Sequence, residues 1–142
     1  MLDAKTIAKV WLPLVTGLVA VCVLFHQARS PRSPAQWLGV VLAVLGVVGA
    51  TISRWTLGSS FSITPQARRL VTRGIYSRLR NPIYVSGCIF IAGLILIVGK
   101  PHLWIALAAV FVMQVIRARK EARVLEAKFG DEYRRYRQQT WF

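Results

Sequence analysis

The residues best suited to chemistry lie in two polar segments that are far apart along the chain. The first holds Gly-Ile-Tyr at 74–76 and Arg-Asn-Pro-Ile-Tyr at 80–84, and the second holds Arg117 and Glu121. An arginine guanidinium can grip a carboxylate through two parallel hydrogen bonds. Glu121 follows Arg117 by one helical turn, so the two can pair if the segment is helical. These residue types predict a site that holds and orients charged groups.

Apolar helices must position these two segments. The chain is 55% hydrophobic yet carries 19 Lys and Arg against 5 Asp and Glu, so its apolar and charged residues are segregated. Four stretches are almost free of charge: 10–25, 35–53, 83–98 and 103–116. A bilayer core asks for about 20 apolar residues, and flanking Trp and Tyr can extend the shorter stretches to the interface. We therefore expect an all-α polytopic membrane protein with about four transmembrane helices.

The alternative of a soluble helical protein is disfavoured, because residues 37–50 have no polar face. The first apolar stretch is expected to be a helix rather than a signal peptide, since no small-residue cleavage pattern follows it. A single domain is expected over 1–142, with two spans in 1–57 and a catalytic region in 58–142. Two cysteines are too few for a disulfide framework or a metal site, and no metal is expected.

The formal net charge of +14 could indicate nucleic-acid binding, but the basic residues flank the apolar stretches. That arrangement fits the positive-inside rule better, so no nucleic-acid partner is expected. The rule predicts cytoplasmic termini, a cytoplasmic segment 58–81 and an outward Lys100, although Arg29 and Arg32 run against it. The expected location is a bacterial inner membrane with the catalytic face in the cytoplasm.

The two polar segments are expected to meet in space. Only residues 99–102, Gly-Lys-Pro-His, separate the third and fourth apolar stretches, so these should form a helical hairpin. Segment 58–81 and the tail from Arg117 bracket that hairpin and therefore return to one membrane face. A site assembled there would lie over a hydrophobic pocket.

The order and spacing of the motifs resemble the isoprenylcysteine carboxyl methyltransferase family and its phospholipid methyltransferase relatives. Members typically show Gly-x-Tyr, Arg-His-Pro-x-Tyr, a paired Glu-Glu and Phe-Gly-x-x-Tyr-x-x-Tyr, and the similarity here covers about 54–136. The resemblance implies methyl transfer from S-adenosylmethionine at the membrane interface. It also implies a cytoplasmic cofactor pocket formed by the loop, the hairpin and the tail, with a lipophilic small molecule or lipid entering from the bilayer.

Carried across residue by residue, the resemblance implies catalytic roles for Arg80, Arg117 and Glu121. It implies cofactor binding by Gly74, Tyr76, Asn81, Pro82, Tyr84 and Glu121. The chain departs from the family pattern at two places: Asn81 stands where the family has His, and Ala122 replaces the second Glu.

Several interpretations stay open at this point. A carboxylate acceptor is expected, because it is ionised at neutral pH and needs no general base. Phospholipid-type amine methylation is the alternative, and a non-catalytic scaffold is a third. A small transporter is disfavoured, since no carboxylate falls within an apolar stretch. A topology role is the alternative for Arg80 and Arg117, and Tyr133 and Tyr136 are typical of interfacial anchors.

Overall fold

The computed structural model describes residues 15–24, 26, 33–57, 70 and 72–141. These residues form helices and no named strand, so the all-helical prediction is confirmed for this part of the chain. The elements are α1 (Val15–Leu24), α2 (Pro34–Leu57), a 3-10 turn (Gly74–Ser77), α3 (Pro82–Val98), α4 (Leu103–Phe129) and α5 (Asp131–Gln139). Residues 58–69, which include Gly58, Arg68 and Arg69 of the predicted cytoplasmic loop, lie outside the described residues.

Helix α2 begins at a reciprocal cap. The Ser33 amide donates to the Gln36 side-chain oxygen at 2.9 Å, and the Gln36 amide donates to the Ser33 hydroxyl at 3.3 Å. Proline at the first helical position suits this start, because its missing N–H would have no helical partner there. The helix then runs for 24 residues to Leu57, about 36 Å at 1.5 Å per residue.

Helices α2 and α3 pack antiparallel at very short distance, through glycines on both helices. A Cβ at Gly46 would lie 2.5 Å from the Phe90 backbone nitrogen, so no side chain fits there. Near the start of α2, the Gln36 side-chain amide donates to the Ile97 carbonyl at 3.4 Å. Because the helices are antiparallel, the end of α2 and the start of α3, which the loop connects, lie at the same end of the pair.

A tight turn connects α3 to α4 and confirms the predicted hairpin. Gly99 ends α3 with a left-handed φ of 70°, and its amide donates to the Ile95 carbonyl at 2.8 Å. Helix α4 begins at Leu103, and its charged half returns past the start of α3. Gly130 ends α4 with a positive φ of 49°, which confirms that Phe129-Gly130 marks a helix end.

The described residues contain one helix that is both long and apolar enough to cross a bilayer, α2. Helices α1 and α3 are shorter apolar helices. Helix α4 joins an apolar half, in which no residue is buried, to a charged half, and its buried residue is Ala118. The arrangement of four transmembrane helices therefore stays a prediction, while the helical hairpin within it is established.

Candidate functional site

The two predicted motifs meet at the start of α3. Tyr84, on the first turn of α3, donates a short hydrogen bond from its hydroxyl to a carboxylate oxygen of Glu121 in α4. One turn earlier in α4, the Arg117 guanidinium carbon lies 6.0 Å from the centre of the Tyr84 ring. That distance suits a cation–π contact. Three predicted site residues that are 37 positions apart at most therefore share one location.

The 3-10 turn brings the Gly-x-Tyr motif to the same end of the molecule. Gly74 opens the turn with a φ of 62°, and a Cβ there would lie 3.2 Å from the Thr56 methyl group near the end of α2. Tyr76 is buried, and its carbonyl accepts a hydrogen bond of 2.7 Å from the Tyr136 hydroxyl of α5. The turn is thus fixed between the end of α2 and α5.

The pKa values of the tyrosines reflect how close these groups lie to one another. Burial raises the pKa of Tyr76, and the neighbouring Tyr136, Glu121 and Tyr84 raise it further. Burial also raises the pKa of Tyr136 to about 12, with Tyr133 adding to the effect and Arg80 opposing it. The site is therefore a cluster of neutral tyrosines beside the Glu121 carboxylate.

Arg80 lies on the α5 side of this cluster. Its Nε atom is buried and has no hydrogen-bonding partner among the described residues. Burial raises the pKa of the buried Tyr133, and the nearby Arg80 guanidinium lowers it, so the two side chains face one another. A buried guanidinium N–H without a partner is costly, which makes Arg80 the residue here most in need of an added acceptor.

Asn81 and Pro82 start helix α3. The Asn81 carbonyl accepts from the amides of Tyr84 and Val85 at 3.1 and 3.2 Å, while its side chain makes no capping hydrogen bond. Pro82 is fully buried at the beginning of the helix. Asn81 therefore contributes to the start of α3 through its backbone carbonyl.

The structure brings the predicted catalytic and cofactor-binding residues to one end of the α2–α3 pair, and their roles stay predictions. Two tyrosines that were expected to be interfacial anchors, Tyr133 and Tyr136, are instead buried against the loop. Their three-residue spacing on one face of a short helix is the signal that indicates such packing. The backbone of Trp141 also contacts this loop, and no sequence motif predicts that contact.

Comparison with protein families shows to which family the motifs belong. Residues 34–132 match the phospholipid methyltransferase family, and this match spans well over half of the chain. The chain belongs to the phospholipid methyltransferase family. This confirms the resemblance drawn from the motifs and identifies a membrane methyltransferase. Comparison with curated proteins and with solved structures gave no match.

The matched residues include α2, the 3-10 turn, α3 and α4, and they end at the first turn of α5. Arg80, Tyr84, Arg117 and Glu121 all lie inside the match. The match ends before Tyr133, Tyr136 and Trp141. Tyr136 nevertheless contacts Tyr76, and Tyr133 lies beside Arg80. Tyr76 and Arg80 are both inside the match.

Proposed function

We propose that this phospholipid methyltransferase family member moves a methyl group from S-adenosylmethionine to a lipophilic acceptor at the membrane interface. The observation that carries the proposal is the buried Nε of Arg80, which has no hydrogen-bonding partner within the described part of the chain. It lies beside the Tyr76–Tyr136 contact, in a site built jointly by the loop, the hairpin and α5. Such a donor calls for an anionic partner.

The residues present fit the cofactor. S-adenosylmethionine carries one carboxylate and one ammonium group on its amino-acid end. The Arg80 guanidinium can supply a planar fork to the carboxylate. Glu121 already accepts one hydrogen bond from Tyr84, and its remaining lone pairs can accept from the ammonium group. When bound, the cofactor supplies a methyl group that is already activated on a sulfonium.

The residues of the chain then need only orient the partners and exclude water. Tyr84 fixes the Glu121 carboxylate through its hydroxyl and faces the Arg117 guanidinium with its ring. Tyr76 and Tyr136 close the loop side with buried rings. Holding the reacting groups in the correct geometry can lower the activation free energy of such a reaction by a large amount.

A carboxylate is the acceptor that the charges favour. Methyl transfer to a carboxylate oxygen releases no proton, so no general base is required. The acids of α4 and α5 are largely engaged: Glu126 pairs with Arg134 at 2.9 Å, and Arg134 also contacts Asp131 at 3.3 Å. Arg117, at the mouth of the hairpin, can hold the anionic acceptor through its guanidinium.

Methylation of a lipid amine is the second candidate, and the family match favours it. A neutral amine that attacks the methyl group must afterwards lose a proton. Glu121 is the carboxylate at the site that could receive it, either directly or through the Tyr84 hydroxyl that it already binds. The chemistry of the product separates the two candidates.

The decisive experiment supplies methyl-labelled S-adenosylmethionine to the purified protein in vesicles. One set of vesicles contains a prenylated cysteine or a fatty acid, and the other contains phosphatidylethanolamine. A carboxyl methyl ester releases labelled methanol in mild alkali, whereas an N-methyl group stays with the lipid. We expect label that alkali releases. Label stable to alkali supports the amine candidate, and no lipid-borne label from folded protein supports the scaffold interpretation.

The proposal includes a cytoplasmic site. Its support is the basic character of the loop and of the charged half of α4. A Lys100→Cys variant, made after replacing Cys22 and Cys88 with Ser, should react with an impermeant thiol reagent from the outer face. Reaction from the cytoplasmic face alone would contradict this orientation.

A further inference from the structure

The chain that follows α5 runs alongside the loop in front of Arg80. The Trp141 amide donates to the Arg78 carbonyl at 2.8 Å, and the Arg80 amide donates to the Trp141 carbonyl at 3.0 Å. These two hydrogen bonds form an isolated parallel bridge between Leu79 and Trp141. The Tyr136 hydroxyl adds a third bond to the same loop at Tyr76.

We propose that these three hydrogen bonds, called here the clasp, position Arg80 for its anionic partner. The inference rests on the proposed function and assigns roles to Trp141 and Tyr136, which lie outside the matched family residues. Both are positioning residues: they act through the backbone of the loop and not on a reacting group.

The reason lies in the surroundings of the Arg80 guanidinium, which lies against the buried Tyr133. Among the residues that the structure describes, its buried Nε has no hydrogen-bonding partner, and a buried unsatisfied donor favours any movement that exposes it to water. The clasp opposes that movement, because it fixes the backbone on both sides of Leu79 and at Tyr76. The guanidinium therefore stays beside the buried Tyr133, and a ligand can satisfy its Nε donor.

The clasp at Trp141 is a backbone device. Trp141 is 77% exposed, so the residue takes part through its N–H and C=O groups and not through burial of its ring. Two substitutions can therefore distinguish the role of the Trp141 backbone from that of its side chain. Trp141→Pro removes the donor to Arg78, and the extended Thr140, at φ −126° and ψ 146°, accepts a following proline. Trp141→Ala removes the indole and keeps both backbone groups.

The first measurement is hydrogen exchange of the 78–81 peptide in the full-length protein. We expect Trp141→Pro to speed exchange roughly two- to tenfold, the effect of one net backbone hydrogen bond. Trp141→Ala should keep the protection of the parent. Tyr136→Phe, which removes the third bond and leaves the ring, should speed exchange at the loop by a similar factor. Unchanged exchange in both Trp141→Pro and Tyr136→Phe overturns the inference whether or not the protein methylates a lipid.

The second measurement is methyl transfer at equal folded protein, in a double-mutant cycle with Arg80→Lys. Trp141→Pro should lower kcat/KM roughly two- to tenfold in the parent and by little in the Arg80→Lys background, because both changes act on one fork. Equal losses in both backgrounds, or full activity despite faster exchange, overturn the inference and leave the proposed function intact. A parent without methyl transfer counts against the proposed function itself, and hydrogen exchange then decides the clasp.

Discussion

Between α2 and α3 the backbones approach so closely that no side chain separates them, whereas the loop and α5 meet through hydroxyls and backbone polar groups. At Gly46 and Gly93 any added atom collides with the partner helix. At Tyr76 and Tyr136 a single hydroxyl spans the gap. Added volume at these two glycines should therefore destabilise the helix pair, and loss of a hydrogen-bond donor should weaken the site.

Loss of the Arg80 fork tests the site side of this comparison and has the largest expected effect. Arg80→Lys keeps the charge but removes the planar pair of donors. A lost buried charged hydrogen bond costs about 2 to 5 kcal/mol, so methyl transfer should fall roughly 30-fold to several-thousand-fold. The assay is initial rate at equal folded protein.

Arg78→Lys is the matched control, because Arg78 is exposed two positions earlier in the loop. It should keep nearly full activity, as a topology arginine needs only its charge. Equal losses in the two variants, or none in either, would mean that Arg80 is itself a topology residue.

Added volume between the helices tests the other region. A Cβ at Gly93 would collide with the Ala43 backbone nitrogen and lie 2.6 Å from the Gly39 carbonyl oxygen. Gly93→Ala should therefore lower the free energy of unfolding by about 1 to 3 kcal/mol, measured by titration with a denaturing detergent. A Cβ at Gly87, in the same helix, meets no atom within 4 Å. Gly87→Ala should leave stability unchanged or raise it, and equal effects at both glycines would refute the close approach.

Loss of one hydroxyl sharpens the comparison on a smaller scale. Tyr136→Phe keeps the buried ring but leaves the Tyr76 carbonyl without its donor. The expected decrease in the free energy of unfolding is about 1 kcal/mol. An unchanged unfolding midpoint would show that water replaces the hydroxyl and that the contact does not stabilise the site.

The last prediction concerns the dependence of stability on alkaline pH. An unfolded tyrosine titrates near pH 10, and burial raises the pKa of Tyr136 to about 12 in the folded protein. The unfolded state therefore loses its proton first, so the contribution of Tyr136 to stability should be constant below pH 10 and fall as the pH rises towards 12. Tyr136→Phe should show a weaker decline over the same range. Stability that rises between pH 10 and 12 would contradict the burial of this hydroxyl.

The sequence predicts the parts of the fold that depend on local signals. Gly-Lys-Pro-His at 99–102 predicts the hairpin, and Gly130 predicts the end of α4, because glycine permits the left-handed conformations found there. The Ser33 cap and the exact start of α2 also follow a local pattern, Ser-x-x-Gln, which places the helix start one residue before the expected Ala35.

The site could be predicted only in part, because its contacts join residues that are distant along the chain. The motifs select Tyr84 and Glu121 as site residues, but the four-residue spacing on α4 suggests Arg117 as the partner of Glu121. The structure gives Glu121 a hydrogen bond from Tyr84, 37 positions away. No periodicity predicts the bridge to Trp141, since backbone groups are the same in every residue.

The antiparallel α2–α3 pair also bears on the entropy of the loop that carries the site. Closing a flexible loop costs conformational entropy, and each doubling of its length adds only about 0.6 kcal/mol. Close packing at Gly46 and Gly93 holds α2 against α3. The antiparallel pair thereby brings the two ends of residues 58–81 to the same end of the molecule, through backbone contacts that do not involve the loop. Contacts such as the Tyr136 hydroxyl bond therefore need to offset only the local ordering of a loop whose closure the helices have already achieved.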